Sequence, residues 1–279
     1  MGRKEQKTLK KVIDMGYAVK NSTQAHIINN FTDLFNDKFY MKENVKTDRI
    51  PVFNLPNVHL QANFLLVLKN NPQIVDLVPT EQRESFDNFV HYMRTNKMCF
   101  NCSNCRKKCY NNQDYNMRPD KAICDLRQLY RLIQKPHVVI GEIIQNTINS
   151  KYVRLNGSGE IHNEFILDIY KRVARANPET VYFTYTKNYD LLAGRKLPKN
   201  LVINYSDFGT TEKIELIKDL ILKNTNIYKS VTSEEITEIK KDEKLSKHIC
   251  YGNCSSCKMC TKKSGITIFC EVHVLNKNK

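Results

Sequence analysis

The ten cysteines are the residues of this sequence whose type and spacing most clearly indicate chemistry. One run has the spacing C-x2-C-x2-C-x3-C and comprises Cys99, Cys102, Cys105 and Cys109. This spacing is typical of a chain that wraps a [4Fe–4S] cluster with closely spaced thiolates, a further cysteine arriving from elsewhere. A second run near the C-terminus comprises Cys250, Cys254, Cys257 and Cys260. Both runs are therefore predicted to bind metal.

The identity of the metal stays open, because thiolates suit both iron–sulfur clusters and zinc. Zinc sites usually use two C-x2-C pairs, whereas the consecutive triplets in both runs favour a cluster. Two arrangements fit the spacing: each run holds its own cluster, or both runs share one site with the remaining cysteines spare or bound to zinc. Cys124 lies on the apolar stripe of a predicted helix and Cys270 lies in a predicted strand, so we expect ordinary buried thiols there.

Polar residues follow three predicted strands and form a second candidate set. Ligands of parallel α/β folds bind outside the carboxyl ends of the strands. The residues expected to bind or protonate a substrate are Glu160, Lys187 and Asp207, and those expected to bind a cofactor are Ser158 and His162. Each alone has a plain explanation as a capping or turn residue, so the prediction depends on their shared position.

Hydrophobic periodicity predicts the elements that would hold these residues. Five helices are expected first, over residues 25–39, 61–69, 81–96, 120–134 and 138–148, with an extended segment at 49–56. Strands then alternate with helices: strands at 152–155, 181–185, 201–205, 226–231 and 265–270, and helices at 163–176, 211–223 and 233–245. This alternation predicts an α/β fold with a parallel sheet covered by helices, either open or closed into a barrel.

Composition and charge limit the class of protein. The 279 residues include 44 Lys and Arg but only 29 Asp and Glu, which gives a net charge of +15. This excess of positive charge favours an anionic partner such as nucleic acid, a nucleotide or an acidic protein. A lysine-rich, solvated surface is the plain alternative. No apolar run is long enough to span a membrane, and the charged N-terminus lacks the apolar stretch of a secretion signal. We therefore expect a cytoplasmic protein without a membrane partner, whose clustered cysteines bind metal rather than form disulfides.

Several short motifs resemble the phage gene product 88 family. The resemblance begins with Cys99-x5-Cys105-x3-Cys109-Tyr110 after the segment 50–56, and continues with Ser158-Gly159-Glu160, Tyr185-Thr186-Lys187, the C-terminal cysteines and the stretch 269–273. Glu160 stands where the family usually has Asp, and Cys102 and Cys254 are additional. The family resembles radical-SAM-type barrels in its Cys–Tyr opening, although the spacing is not C-x3-C-x2-C. The resemblance therefore leaves S-adenosylmethionine (SAM) open as a cofactor and implies a phage protein in the host cytoplasm, of unassigned activity.

The resulting fold prediction is an α/β partial or distorted (β/α) barrel with Cys-rich metal-binding segments at both ends and a helical N-terminal extension. The expected divisions are a polar, partly helical extension at 1–50, a single metal-binding domain at 51–273 and a tail at 274–279. We expect an iron–sulfur protein with one or two [4Fe–4S] clusters at the rim, acting as a radical or redox enzyme on an anionic substrate such as nucleic acid. The alternative is a non-catalytic, zinc-stabilised nucleic-acid-binding or host-takeover protein; an electron carrier is a weaker third option.

Overall fold

The computed structural model of the chain describes residues 3–44, 50–100, 115, 118, 120–192, 194–207, 226–252 and 254–271. Three predicted ligands of the first cysteine run, Cys102, Cys105 and Cys109, lie outside these residues. The helix expected at 211–223 and the tail at 274–279 also lie outside them.

Seven strands form one sheet whose spatial order equals their order in the chain. They are β1 (Lys42–Asn44), β2 (Ile50–Phe53), β3 (Tyr152–Leu155), β4 (Val181–Thr186), β5 (Leu201–Asp207), β6 (Ile227–Val231) and β7 (Thr267–Glu271). β1 pairs antiparallel with β2, and the six strands from β2 to β7 are parallel. Among the described residues β1 and β7 do not pair with each other, so the sheet is open rather than a closed barrel.

In the described part of the chain, six helices precede β3 and the other helices lie between later strands. They are α1 (Arg3–Asp14), α2 (Ser22–Asn29), α3 (Val58–Asn70), α4 (Arg83–Thr95), α5 (Asp120–Gln134), α6 (Pro136–Thr147), α7 (Glu164–Ala176), α8 (Tyr189–Leu192), α9 (Ser233–Lys241), α10 (Glu243–Ser246) and α11 (Cys254–Cys257). Short 3-10 turns cover Phe31–Phe35, Pro72–Leu77, Thr80–Gln82 and Met259–Thr261. In this part of the chain no helix has the length and apolar character needed to cross a membrane.

The helix α7 shows how local sequence sets an element that the site depends on. The side chain of Asn163 accepts a hydrogen bond from the Ile166 backbone N–H at 3.1 Å, a cap that contributes about 1 kcal/mol. Apolar residues at helical spacing, among them Tyr170 and Val173, are buried against the sheet. The cap fixes the start of α7 directly after the loop that carries the candidate residues 158–162.

The N-terminal segment contributes to the same core as the sheet and the later helices. The expected single helix over 25–39 is wrong: α2 ends at Asn29, and a 3-10 turn follows. Asn30 is the reason, because its side-chain amide donates to the His26 carbonyl at 2.9 Å and competes with continued helix. Phe31, in the turn, then packs edge-on against Phe86 of α4 with ring centroids 5.7 Å apart.

The two faces of the sheet have different partners. Paired residues of neighbouring parallel strands point to the same side, and alternate residues point to opposite sides. One face, which includes Val153, Tyr182 and Ile203, packs into the main core with the helices. The opposite face, which we call the cysteine face, carries Tyr152, Arg154, Phe183, Tyr185, Val202, Asn204, Tyr228 and Cys270. Connections between neighbouring parallel strands are right-handed and place their helices on one side, which leaves the cysteine face to another segment.

Candidate functional site

The carboxyl ends of β3, β4 and β5 bring the predicted polar residues to one rim. Ser158, Glu160 and His162 lie in the loop after β3, Lys187 directly follows β4, and Asp207 is the last residue of β5. Ser158, Glu160, His162 and Asp207 are buried, and Lys187 is half-buried. All five residues therefore follow or end strands at the same edge of the sheet, and most of them are covered by the chain itself.

Glu160 joins two loops of this rim to the first cysteine. One carboxylate oxygen accepts hydrogen bonds from the Thr186 hydroxyl and from the backbone N–H groups of Lys187 and Asn188. The other oxygen accepts from the Phe100 N–H at 3.1 Å. With 4% of its surface exposed, the carboxylate is occupied by the protein's own donors. This geometry fits a residue that positions the Cys99–Phe100 segment.

Cys99 is the one cysteine of the first run within the described residues. Its Sγ accepts a hydrogen bond at 3.5 Å from the N–H of Val58, the first residue of α3. Together with the bond from Phe100 to Glu160, this contact fixes Cys99 beside the carboxyl ends of the strands. The first residue of this cysteine run thus lies at the rim formed by the loop after β3.

Ser158 belongs to a buried chain of hydroxyl groups that reaches α5. The Tyr115 hydroxyl donates to Asp125 at 2.6 Å, because a carboxylate only accepts, and it lies 2.7 Å from the Ser158 hydroxyl. The Lys121 ammonium lies 3.1 Å from the same Asp125 carboxylate. Burial raises the pKa of Tyr115 well above its usual value. The Ser158 hydroxyl therefore serves as the donor to Tyr115.

His162 is a buried, neutral histidine held by a defined hydrogen-bond chain. Its Nδ1 lies 3.1 Å from the Glu160 carbonyl, which can only accept, so Nδ1 carries the proton. Nε2 then accepts from the Tyr92 hydroxyl at 2.7 Å, and that hydroxyl accepts from the Asn163 amide at 2.8 Å. Burial lowers the pKa of His162 to about 4. At neutral pH this side chain is an uncharged structural link.

The second cysteine run lies across the cysteine face. Cys254 and Cys260 pack against a small apolar cluster of the sheet that includes Phe183 and Val202. Asn204 donates a side-chain hydrogen bond to the Cys260 carbonyl at 3.0 Å, and Asn226 donates to the Lys262 carbonyl at 2.7 Å. These two side-chain amides provide hydrogen-bond donors for backbone carbonyls of the cysteine segment, which an apolar sheet face could not provide.

Arg154 and two tyrosines surround these thiols. The Arg154 guanidinium lies 5.1 Å from the centroid of the Tyr185 ring, and the rings of Tyr185 and Tyr228 are 4.9 Å apart. The Tyr185 hydroxyl is hydrogen-bonded to the Cys260 thiol, while burial raises the pKa of that thiol to about 12. A sulfur so buried loses its proton readily only when a cation is bound beside it.

The donor atoms suit a thiophilic metal, but the described residues alone do not close around one. Among them, no three Cys, His, Asp or Glu side chains form a group that could hold a metal ion, and no disulfide joins the described cysteines. Soft sulfur ligands favour iron–sulfur clusters, zinc or Cu(I) over harder ions. The metal roles of Cys99, Cys250, Cys254, Cys257 and Cys260 stay a prediction.

The sequence model of the family described as Gene product 88 matches residues 65–270 of the chain. The chain belongs to the phage Gene product 88 family. The Gene product 88 match starts within α3, spans both cysteine runs and the rim, and stops at Cys270 in β7. No curated protein and no solved structure matches the chain.

Four residues of the Gene product 88 region join the site without having been predicted. Arg154, Tyr228 and Cys270 lie on the cysteine face, and Tyr115 lies beneath the rim. Side chains alternate between the two sheet faces along β3 and β6, and this alternation could have placed Arg154 and Tyr228 on one face. Only the strand order in the structure shows that the second cysteine run covers this face. Tyr115 is isolated in the sequence from any periodic element and carries no signal of its role.

Proposed function

We propose that this Gene product 88 protein is an iron–sulfur protein that holds a [4Fe–4S] cluster against the cysteine face. The observation that supports it is the placement of Cys254 and Cys260 on a buried sheet face beside Arg154 and Tyr185. Six parallel strands in chain order are the arrangement of a barrel segment, so we take this face as the hollow of a partial (β/α) barrel.

The chemistry of this face favours a metal over plain packing. If this sheet face served only for apolar packing, a guanidinium, two tyrosine hydroxyls and several thiols on it would destabilise the fold, since each polar group costs free energy when buried. Arg154 and the hydroxyl of Tyr185 are suited to offset the negative charge of thiolates around a cluster. The predicted ligands are Cys250, Cys254, Cys257 and Cys260, and the bound cluster would supply electron transfer or radical chemistry.

The rim suits the substrate of a redox enzyme. Lys187 directly follows β4 and Asp207 ends the neighbouring strand β5, and we assign Lys187 to binding an anionic group and Asp207 to proton transfer. Glu160 acts by positioning Cys99 and Phe100. The predicted cofactor contacts, Ser158 and His162, are both hydrogen-bonded inside the protein, so a SAM site would require their present bonds to change.

A zinc-stabilised nucleic-acid-binding protein is the second candidate. It is favoured by two lysines beside the cysteine segment: the ammonium groups of Lys151 and Lys258 lie 5.9 and 5.8 Å from the centroid of the Tyr152 ring. Two cations around one aromatic ring, in a chain with a net charge of +15, form a surface that attracts a polyanion.

Anaerobic purification of the full chain with metal and sulfide analysis tests the proposal. We expect a brown protein that contains iron and acid-labile sulfide, and a loss of one cluster's share of both in the variant Cys254→Ser/Cys260→Ser. The matched control is Cys124→Ser, because Cys124 is half-buried in α5 away from the cysteine face. A colourless wild type that contains zinc and binds single-stranded nucleic acid in a salt-dependent way would replace the proposal with the second candidate.

A further inference from the structure

The strand register places Cys270 on the cysteine face. Ile268 pairs with Tyr228 and Cys270 pairs with Ser230 in the parallel ladder of β6 and β7. Phe269, between them, packs on the other side with Val231 of β6 and Ile236 of α9. Since side chains alternate along a strand, the thiol of Cys270 must point to the side that carries Tyr228.

A short parallel bridge then brings Cys250 beside Cys270. Ile249 pairs with Phe269, the Phe269 N–H donates to the His248 carbonyl at 3.0 Å, and the Cys250 N–H donates to the Phe269 carbonyl at 2.7 Å. The next residues along the two segments are Cys250 and Cys270, and their side chains are hydrogen-bonded to each other. Twenty residues of sequence separate these thiols, which the fold makes direct neighbours.

The surroundings of this pair differ from those of a buried structural thiol. The Tyr228 hydroxyl donates to the Cys250 sulfur at 3.9 Å, and Arg154 interacts electrostatically with Cys250. The thiol of Cys260, on the same face, also interacts with Cys250 and Cys254. The pair therefore lies on the same sheet face as the sulfurs of Cys254 and Cys260.

We infer that Cys270 is a metal ligand of the C-terminal site, bound to the same thiophilic metal centre as Cys250. The inference rests on the proposed metal site and extends it to a cysteine that lies outside the spaced run and was expected to be an ordinary buried thiol. On binding, each ligand sulfur forms a bond to the metal and the proton of each ligand thiol leaves to solvent, with no change of oxidation state. Cys270 then takes the fourth ligand position beside Cys250, Cys254 and Cys260, in place of Cys257, whose side chain is exposed.

Titration of the apo full-length chain with Co²⁺ tests this ligand without depending on iron. The sulfur-to-cobalt charge-transfer absorption reports how many thiolates bind the ion. We expect Cys270→Ser to lose part of that absorption at saturation and to bind Co²⁺ at least about 10-fold more weakly, since even outer contacts of a metal site contribute 10–100-fold. The control Cys124→Ser should match the wild type in both measurements.

Alkylation of the wild type covers the case in which Cys270→Ser does not fold. Iodoacetamide labelling with and without bound Co²⁺, read on the peptide that contains Cys270, should show protection in the loaded protein. Equal labelling of Cys270 in both states, an unchanged cobalt spectrum in a folded Cys270→Ser variant, or no cobalt binding by the wild type would each refute the inference. A wild type that lacks iron but binds Co²⁺ through Cys270 would refute the iron–sulfur function and leave the ligand assignment standing.

Discussion

Replacing Glu160 with Gln separates a positioning role from a catalytic one. In the structure the two carboxylate oxygens accept from Phe100, Thr186, Lys187 and Asn188. Glutamine keeps the size of the side chain and one acceptor oxygen, but its other terminal group is an NH2 that can only donate. If the remaining oxygen stays with the loop after β4, the amide NH2 faces the Phe100 N–H, and two donors meet.

The size of the effect follows from those contacts. One hydrogen bond to a charged acceptor is lost, which is worth about 1.5–3 kcal/mol, and the Phe100 N–H is left without its acceptor at a further cost of about 1 kcal/mol or more. We therefore expect Glu160→Gln to lower the free energy of unfolding by about 2–4 kcal/mol. Glu164→Gln is the matched control: Glu164 is 58% exposed and pairs with Arg195 at the surface, so its loss should change stability by less than about 1 kcal/mol.

Urea unfolding followed by circular dichroism measures both variants, and alkylation of Cys99 reports the position of the first cysteine run. If Glu160 positions this segment, Glu160→Gln loses stability and Cys99 reacts faster than in the wild type. If Glu160→Gln kept wild-type stability and Cys99 reactivity but abolished the redox activity of the purified protein, the positioning role would be refuted and Glu160 would be a catalytic residue.

Two further predictions concern the buried network and the cysteine segment. The pKa of His162 is lowered to about 4 in the folded protein against 6.5 in an unfolded chain, so the unfolded state takes up the proton first as pH falls. The contribution of His162 to the free energy of unfolding should therefore be constant above pH 6.5 and decrease between pH 6.5 and about 4, by about 3 kcal/mol in total. Urea midpoints measured across this pH range should lose this component in His162→Asn. The control His137→Gln, on the exposed surface of α6, should keep it. Asn204→Ala removes the donor to the Cys260 carbonyl, so we expect a loss of about 1–3 kcal/mol and faster limited proteolysis of residues 250–262; unchanged cleavage there would contradict an anchoring role for Asn204.

Local periodicity was sufficient to predict several elements of this fold. The structure confirms α5 at residues 120–134 and β3 at residues 152–155 with the predicted bounds, because both have apolar residues at a clear period of 3.6 or 2. It also confirms the parallel α/β character, since alternation of strands and helices permits few other arrangements. The helix expected at 25–39 failed because the competing hydrogen bond of Asn30 is not part of a hydrophobic pattern.

The candidate site was predictable only where it depends on strand ends. Glu160 and Lys187 meet because the chain segments that follow the neighbouring strands β3 and β4 lie side by side, which the sequence indicates through its order of elements. That Glu160 faces Phe100 is a contact across 60 residues and follows from tertiary packing alone. The neighbourhood of Cys250 and Cys270 depends on a single bridge between Ile249 and Phe269, which no spacing rule contains.

The position of the cysteine segment between β6 and β7 has a consequence for biosynthesis. A ribosome makes β7 after every other element that the structure describes, yet Cys250 needs the Phe269 carbonyl to hold its backbone in place. The strands β2 to β5 and the helices that cover them are synthesised before β7, and N-terminal regions generally fold first during synthesis. The backbone at Cys250 therefore reaches its final position only after β7 has joined the sheet.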